Sequence, residues 1–255
     1  MTSTLAGRFL DRLRRLIARS QPVSVEWHRR PQTADLLSFL AGNTISPPKT
    51  PQTGLIEQRA ALANARGELP LWEGYGNHNT RGPTRTADMV RTAPAMGQLF
   101  TALVIAVRPS IVVEFGTAAG VSGMYFLAGL ALNNHGRLLS FEPNPTWCDI
   151  ARDNLQQVSD RFVLTNATFE ESVNNVLKEG QSIDLAFVDA IHEPSFVERQ
   201  LDIVQSHARS GAVILLDDID FSPAMAEFWQ QTREEQRFSA AATLGNHVGL
   251  LVKGD

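Results

Sequence analysis

A single cysteine, Cys148, occurs among the 255 residues, which excludes an intramolecular disulfide and any multi-cysteine metal site and fits a reducing compartment. Positive charge is not in excess either. Lysine and arginine number 23 against 27 acidic residues, a formal net charge of −4, so the broad basic field of a backbone-driven nucleic-acid binder is missing. No apolar run approaches the roughly 20 residues of a membrane-spanning helix, and the N-terminus carries arginines where a signal peptide keeps its apolar stretch. Internal repeats and low-complexity segments are also lacking. The expectation is a cytoplasmic protein with no nucleic-acid partner and no stable membrane insertion. With 43% apolar residues, the chain can bury one sizeable core.

Several motifs that would announce a particular chemistry are absent as well. The turn Gly116-Thr117-Ala118-Ala119-Gly120 has alanine where the second glycine of a G-x-G-x-x-G dinucleotide fingerprint belongs, and no G-x-x-x-x-G-K-[ST] phosphate loop occurs. Gly120-Val121-Ser122-Gly123-Met124 lacks the last glycine of a nucleophile elbow. His192-Glu193 does not continue to H-E-x-x-H, and Asn144-Pro145 does not continue to N-P-P-Y.

What is present falls into two parts, 1–88 and 89–255. Residues 4–19 place Leu5, Phe9, Leu13, Leu16 and Ile17 at helical spacing opposite Arg8, Arg12, Arg15 and Arg19, a basic amphipathic helix expected to dock on its own core or on a partner subunit, with an anionic membrane surface as the alternative. A short helix is expected at 34–41 and another at 55–66, separated by prolines 47, 48 and 51, which preclude helix between them. Residues 70–86 hold three glycines, two prolines and scattered Trp72, Tyr75, His78, Arg81 and Arg85, a composition that suits a mobile loop over an acceptor. The first part thus reads as a helical extension with a lid.

From residue 94 the pattern alternates. Helices are expected at 94–107, 121–133, 145–158, 169–178, 194–208 and near 222–234, and strands at 111–115, 137–141, 161–165, 183–188 and 212–216. Two final strands, about 237–243 and 247–253, are joined by Gly245-Asn246 and must form an antiparallel hairpin. Alternating helices and strands predict an α/β fold: a doubly wound, mostly parallel, seven-stranded sheet with an antiparallel C-terminal hairpin.

In such sheets ligands bind beyond the carboxyl ends of the strands, near the switch point in strand order. The first strand runs into Glu114-Phe115-Gly116-Thr117-Ala118-Ala119-Gly120, an acidic-x-Gly-x-x-x-Gly turn that lets backbone approach a ligand closely. Glu114 under it either accepts hydrogen bonds from a positively charged ligand or orders the loop. The second strand ends in Glu142-Pro143, where an acidic residue is placed to take both hydroxyls of a ribose. Asp189 and His192 follow the fourth strand, and Asp217 and Asp218 follow the fifth, with Asp220 as a rival ligand. Carboxylates from neighbouring strand ends can converge on a hard divalent cation such as Mg²⁺. A neutral histidine beside them is a capable base near neutral pH.

Together these segments resemble class I S-adenosylmethionine-dependent methyltransferases. They are most similar to the metal-dependent catechol and caffeoyl-coenzyme A type O-methyltransferases over roughly residues 89–253. Met89-Val90-Arg91-Thr92-Ala93-Pro94-Ala95-Met96-Gly97-Gln98-Leu99 resembles the helix that covers the cofactor, and Gly249-Leu250-Leu251-Val252-Lys253 their closing strand. Asp189-Ala190-Ile191-His192 stands where those enzymes have D-A-D-K, a departure that resembles a D-x-x-H branch including sugar-modifying enzymes. The resemblance implies S-adenosylmethionine contacts at Glu114, Gly116, Thr117, Gly120, Ser122, Glu142, Pro143, Asn166, Ala167 and Asp189. It implies a metal held by Asp189, Asp217 and Asp218, with catalysis by His192 and Asp189. The expected reaction is methyl transfer to a hydroxyl of a small-molecule acceptor, catechol-like, sugar or other natural product, by a homodimer. Alternatives are a metal-independent methyltransferase using His192, and an NAD(P)-binding oxidoreductase. Ala118 and the lack of a Tyr-x-x-x-Lys pair disfavour the oxidoreductase. His28, His135, His207, His247 and Cys148 are expected to be structural.

Overall fold

A computed structural model describes residues 22–31, 38–71, 73 and 83–255. The expected helix at 4–19 and most of the 70–86 loop, including His78, lie outside the described residues. Of the helix expected at 34–41, the described part is a single 3-10 turn, Ser38–Leu40. The extension begins with strand β1, Val23–Arg29, and strand β2, Thr44–Ile45, which pairs antiparallel to it. Strands that were not expected thus stand in the extension beside its helices: Val23-Ser24-Val25-Glu26 alternates buried and exposed, the period of a half-buried strand. Helix α1 then spans Thr53–Asn64, and strands β3, Leu69–Pro70, and β4, Thr84–Arg85, pair as a small ribbon. The two ends of the expected lid loop are therefore fixed to one another. A short helix α2, Ala87–Val90, completes this part.

The alternation from residue 94 is present as read. Helix α3 (Pro94–Val107) leads to β5 (Ile111–Phe115), α4 (Val121–Asn133), β6 (Arg137–Phe141), α5 (Pro145–Leu155) and β7 (Phe162–Thr165). Helix α6 (Phe169–Val176), β8 (Ile183–Val188), α7 (Pro194–His207), β9 (Ala208–Leu216) and α8 (Pro223–Thr232) follow, then the hairpin β10 (Phe238–Leu244) and β11 (Val248–Lys253). Strand β9 starts earlier than expected, taking over Ala208 directly after α7 ends. Proline at the first helical position starts α3, α5, α7 and α8, where its missing N–H costs nothing. Asn144 caps α5, its side-chain oxygen accepting from Thr146 N at 2.9 Å and Trp147 N at 3.2 Å.

The strands form one nine-stranded sheet in the order β2-β1-β10-β11-β9-β8-β5-β6-β7. β9, β8, β5, β6 and β7 are parallel, and β11 joins antiparallel to β9. The expected seven strands are thus present, extended by β1 and β2. Strand order reverses between β5 and β8, which opens a crevice at their carboxyl ends. β5 and β8 are buried along their whole length because helices cover both faces. On one face Val112, Leu138 and Phe187 pack with residues of α1, α3, α4 and α5. On the other, Ile111, Val113 and Phe115 pack with residues of α6, α7 and α8.

Candidate active site

The crevice is built from the ends of β5, β6, β8 and β9. Glu114 lies inside the sheet with no solvent exposure, and both carboxylate oxygens are taken: Ser122 Oγ donates to Oε1 and Ser140 Oγ to Oε2, each at 2.5 Å. Burial raises its pKa in spite of these bonds. Of the two roles left open for Glu114, the structure supplies the second, since its partners tie β5, β6 and the start of α4 together. Thr117 is buried, its hydroxyl donating to Phe141 O at 3.1 Å.

The turn after β5 depends on left-handed backbone. Gly116 has φ +78°, and a Cβ there would stand 2.0 Å from Asp189 O, so only glycine lets the ends of β5 and β8 approach this closely. Ala118 also sits at positive φ, 44°, unusual for a residue with a side chain. That conformation aims its N–H at Glu142, 2.7 Å from Oε2, while Asn144 N donates to Oε1 at 2.9 Å. Glu142 is buried, and desolvation pushes its pKa up to about 7 against these two donors. The buried Pro143 follows, and Asn166 Nδ2 donates to the carbonyls of Glu142 and Pro143 at 2.8 and 3.0 Å, bracing the exit of β6. Ala167, next in the chain, is half-buried.

Across the switch point, Asp189 N bonds Phe115 O at 3.1 Å and Asp217 N bonds Val188 O at 3.0 Å, which brings the two strand-end aspartates side by side. Asp218, at φ 52°, turns back toward His192, whose Nε2 lies 3.4 Å from Asp218 Oδ2 and 3.8 Å from Asp189 Oδ1. Burial, and then the charges of Asp217 and Asp218, raise the Asp189 pKa well above the usual carboxylate range. Burial and Asp218 bring Asp217 to about 7. Burial lowers His192, with Asp218 opposing. Asp217 Oδ1 is buried with no hydrogen-bond partner. Asp220 is exposed, and the ring of Phe221, 65% exposed, lies 5.1 Å from that of His192.

A narrow cleft joins Gly116, Thr117, Gly120's neighbours Ala119 and Val121, Ser122 and Asp189; four of the ten residues expected to touch a cofactor, Gly116, Thr117, Ser122 and Asp189, line it. It also includes Val90, Arg91 and Thr92. The resemblance places that segment over the cofactor and singles out none of its side chains. A roomier cavity of about 560 Å³ opens at the opposite end of the sheet, lined by His135, Arg137, Arg161, Lys178 and Asp184 among others. There Asp184 is structural, accepting from the N–H groups of Ser110 and Ile111 and pairing with Arg209. The remaining histidines are held locally: His28 by Thr243, His135 by Ser110, His207 by Ile203 O and His247 by Gly245 O. Cys148 is buried.

Comparisons with known proteins agree with this architecture. Residues 113–219 match the family profile described as a methyltransferase domain. Mycobacterial relatives match at 30% identity over 127 and 138 residues, and the chain spans 57% and 60% of their lengths. A transmembrane O-methyltransferase of Propithecus coquereli is 30% identical over 162 residues, 62% of this chain and 57% of that protein. No helix among the described residues here is long and apolar enough to cross a membrane. An O-methyltransferase of Bacillus cereus, solved with SAH, superposes with a TM-score of 0.57 at 22% identity, covering 81% of this chain and 92% of that one. An O-methyltransferase of tomaymycin synthesis from Streptomyces achromogenes, solved with SAM, gives 0.57 at 15% identity over 82% of this chain and 92% of that one. The resemblance to class I methyltransferases and the Rossmann-like methyltransferase fold read from the sequence are borne out.

Proposed function

We propose that this chain transfers a methyl group from S-adenosylmethionine to a hydroxyl oxygen of a small molecule, with His192 as the base and a divalent cation such as Mg²⁺ assisting. The observation that carries the reading is the convergence of Asp189, Asp217, Asp218 and His192 at the carboxyl ends of β8 and β9, beside the glycine turn and Glu142. Glu142 takes the ribose hydroxyls. The turn 116–120 lies against the cofactor, with Thr117, Ser122, Pro143, Asn166 and Ala167 around it. His192, kept neutral by burial, accepts the proton of the attacking hydroxyl, and Asp218 orients its imidazole.

The donor chemistry fits a hard cation: the set is rich in carboxylate oxygen, and Asp217 Oδ1 is buried without a partner. Among the described residues no three such side chains already stand around one point as ligands. Asp189, Asp217 and Asp218 would hold the ion in their ionised form. A cation there would supply Lewis-acid chemistry, making the acceptor hydroxyl easier to deprotonate. The upward shift of Asp189 and Asp217, caused by burial and by their neighbouring carboxylates, favours a second reading in which these aspartates keep protons instead of a cation and His192 works alone.

Calorimetric titration of the same sample with S-adenosylmethionine and with NAD tests the proposal. Binding of the first and not the second is expected; the reverse overturns it. Turnover of the acceptor is expected to stop in excess chelator and to return with Mg²⁺ or Mn²⁺. Full activity in chelator replaces the cation-assisted reading with the cation-free one.

A further inference from the structure

Arg91 is the one cationic side chain lining the cleft of the glycine turn among the described residues, and its side chain is only 5% exposed. A guanidinium that far from water needs anionic or hydrogen-bonding partners. It has two: Nε donates to Thr92 O at 3.1 Å, and Nη2 pairs with Glu57 Oε1. Nη1 has no partner among the described residues, and the neighbouring Thr92 hydroxyl is buried with none. A buried hydroxyl without a partner and a guanidinium nitrogen with none among the described residues thus border a cleft whose other walls include the backbone turn and acidic Asp189.

The guanidinium is held from behind. Glu57 lies on α1, in the extension, and accepts the hydroxyl of the buried Tyr125 of α4 at 2.7 Å on the same oxygen that pairs with Arg91. One carboxylate therefore fixes the arginine against the helix that follows the glycine turn.

We infer that Arg91 and the Thr92 hydroxyl bind the α-carboxylate of the cofactor's amino-acid tail, and that Glu57 is a positioning residue that aims Arg91 into the cleft. A carboxylate is the group that a planar, always-charged fork with free N–H donors recognises best. The assignment rests on the S-adenosylmethionine reading above. It makes α1 part of ligand selection, since the extension holds in place the arginine that favours a ligand carrying the amino-acid tail over a bare nucleoside.

The test compares two ligands on one protein, S-adenosylhomocysteine and 5′-methylthioadenosine, which keeps the nucleoside and lacks the amino-acid tail. Arg91→Ala is expected to weaken S-adenosylhomocysteine by about 10–100-fold while 5′-methylthioadenosine changes by less than about 3-fold. Arg91→Lys recovers part of the loss. Glu57→Gln keeps an acceptor for Tyr125 but loses the charge, and is expected to weaken S-adenosylhomocysteine selectively by about 3–10-fold. Should Arg91→Ala not fold, the wild type is titrated with decarboxylated S-adenosylhomocysteine, which is expected to bind about 10–100-fold more weakly than the parent. Equal losses for both ligands, no loss for S-adenosylhomocysteine, or full affinity of the decarboxylated analogue overturns the assignment of Arg91. Wild-type protein that binds neither nucleoside overturns the proposed function instead, so the two failures are told apart.

Discussion

Replacing Gly116 with alanine tests how tightly the ends of β5 and β8 are drawn together. Two costs add. The first is conformational: at φ +78° an L-residue is disfavoured by about 1–2 kcal/mol. The second is steric, because the new Cβ would stand 2.0 Å from Asp189 O and 2.8 Å from Ala190 Cα, and backbone cannot rotate away as a side-chain tip can. Overpacking of this kind costs about 1–3 kcal/mol, giving roughly 2–5 kcal/mol in all. Gly180 isolates the first cost, since it has φ +79° and nothing within 4 Å of an added Cβ. With about 2–4 °C of Tm per kcal/mol for a domain of this size, Gly180→Ala should lower Tm by about 2–8 °C and Gly116→Ala by about 4–20 °C. Differential scanning fluorimetry on the two variants side by side provides the comparison. Because the clash is relieved only by moving the end of β8, Asp189 moves too, and S-adenosylmethionine turnover should fall more than about 10-fold in Gly116→Ala alone. Equal Tm losses in the two variants would refute the argument from crowding.

Glu142→Gln should weaken S-adenosylmethionine by roughly 1–3 kcal/mol in calorimetry, and unchanged affinity removes Glu142 from the ribose site. The same residue makes a pH prediction. Its folded pKa of about 7 exceeds the usual 4.5, so its contribution to stability is fully present below pH 4.5 and is lost as pH rises through 7. The ligand-free protein should therefore lose up to about 1.4 kcal/mol per pH unit from this group between those values, read by urea unfolding. Glu142→Gln should show a shallower slope, and an identical slope in the variant counts against a neutral, buried Glu142. His192→Ala should lower kcat by about 10²–10⁴ with cofactor affinity kept. Because burial lowers its pKa, the rising limb of the wild-type pH–rate profile should lie below pH 6.5. A His192→Ala enzyme with near-normal kcat rules out the base.

The parallel part of the fold was legible because β5, β8 and β9 are continuous apolar runs bounded by glycine, aspartate or proline, with helices of clear period between them. The hairpin followed from the short Gly245-Asn246 link alone. β1 was not legible, since its alternation covers few residues and lies among arginines and prolines; its partner, β10, is more than 200 positions away in sequence. At the site, the strand-end acids were found by position, a property of topology. What they do to one another was not visible: that Glu114 spends both oxygens on Ser122 and Ser140, or that His192 faces both Asp189 and Asp218, depends on side-chain directions across several strand ends. Arg91 was hidden for the same reason, because Glu57, its partner, belongs to a segment with no motif.

The pairing of β1 with β10 bears on where the molecule can be cut. A polypeptide starting at residue 89 would keep the whole parallel sheet and the terminal hairpin, yet β10 would become the outermost strand, its N–H and C=O groups facing water along its length. Such a rim is a template for the rim of another molecule. Val25, Glu26 and Trp27 now occupy it opposite Leu244, Thr243 and Ala242. Arg29 closes the corner, its guanidinium donating to the carbonyls of Glu234 and Glu235 at 3.1 Å and to that of Phe238. Removing these few residues would take away no atom of the crevice and would still turn a self-contained sheet into one that polymerises.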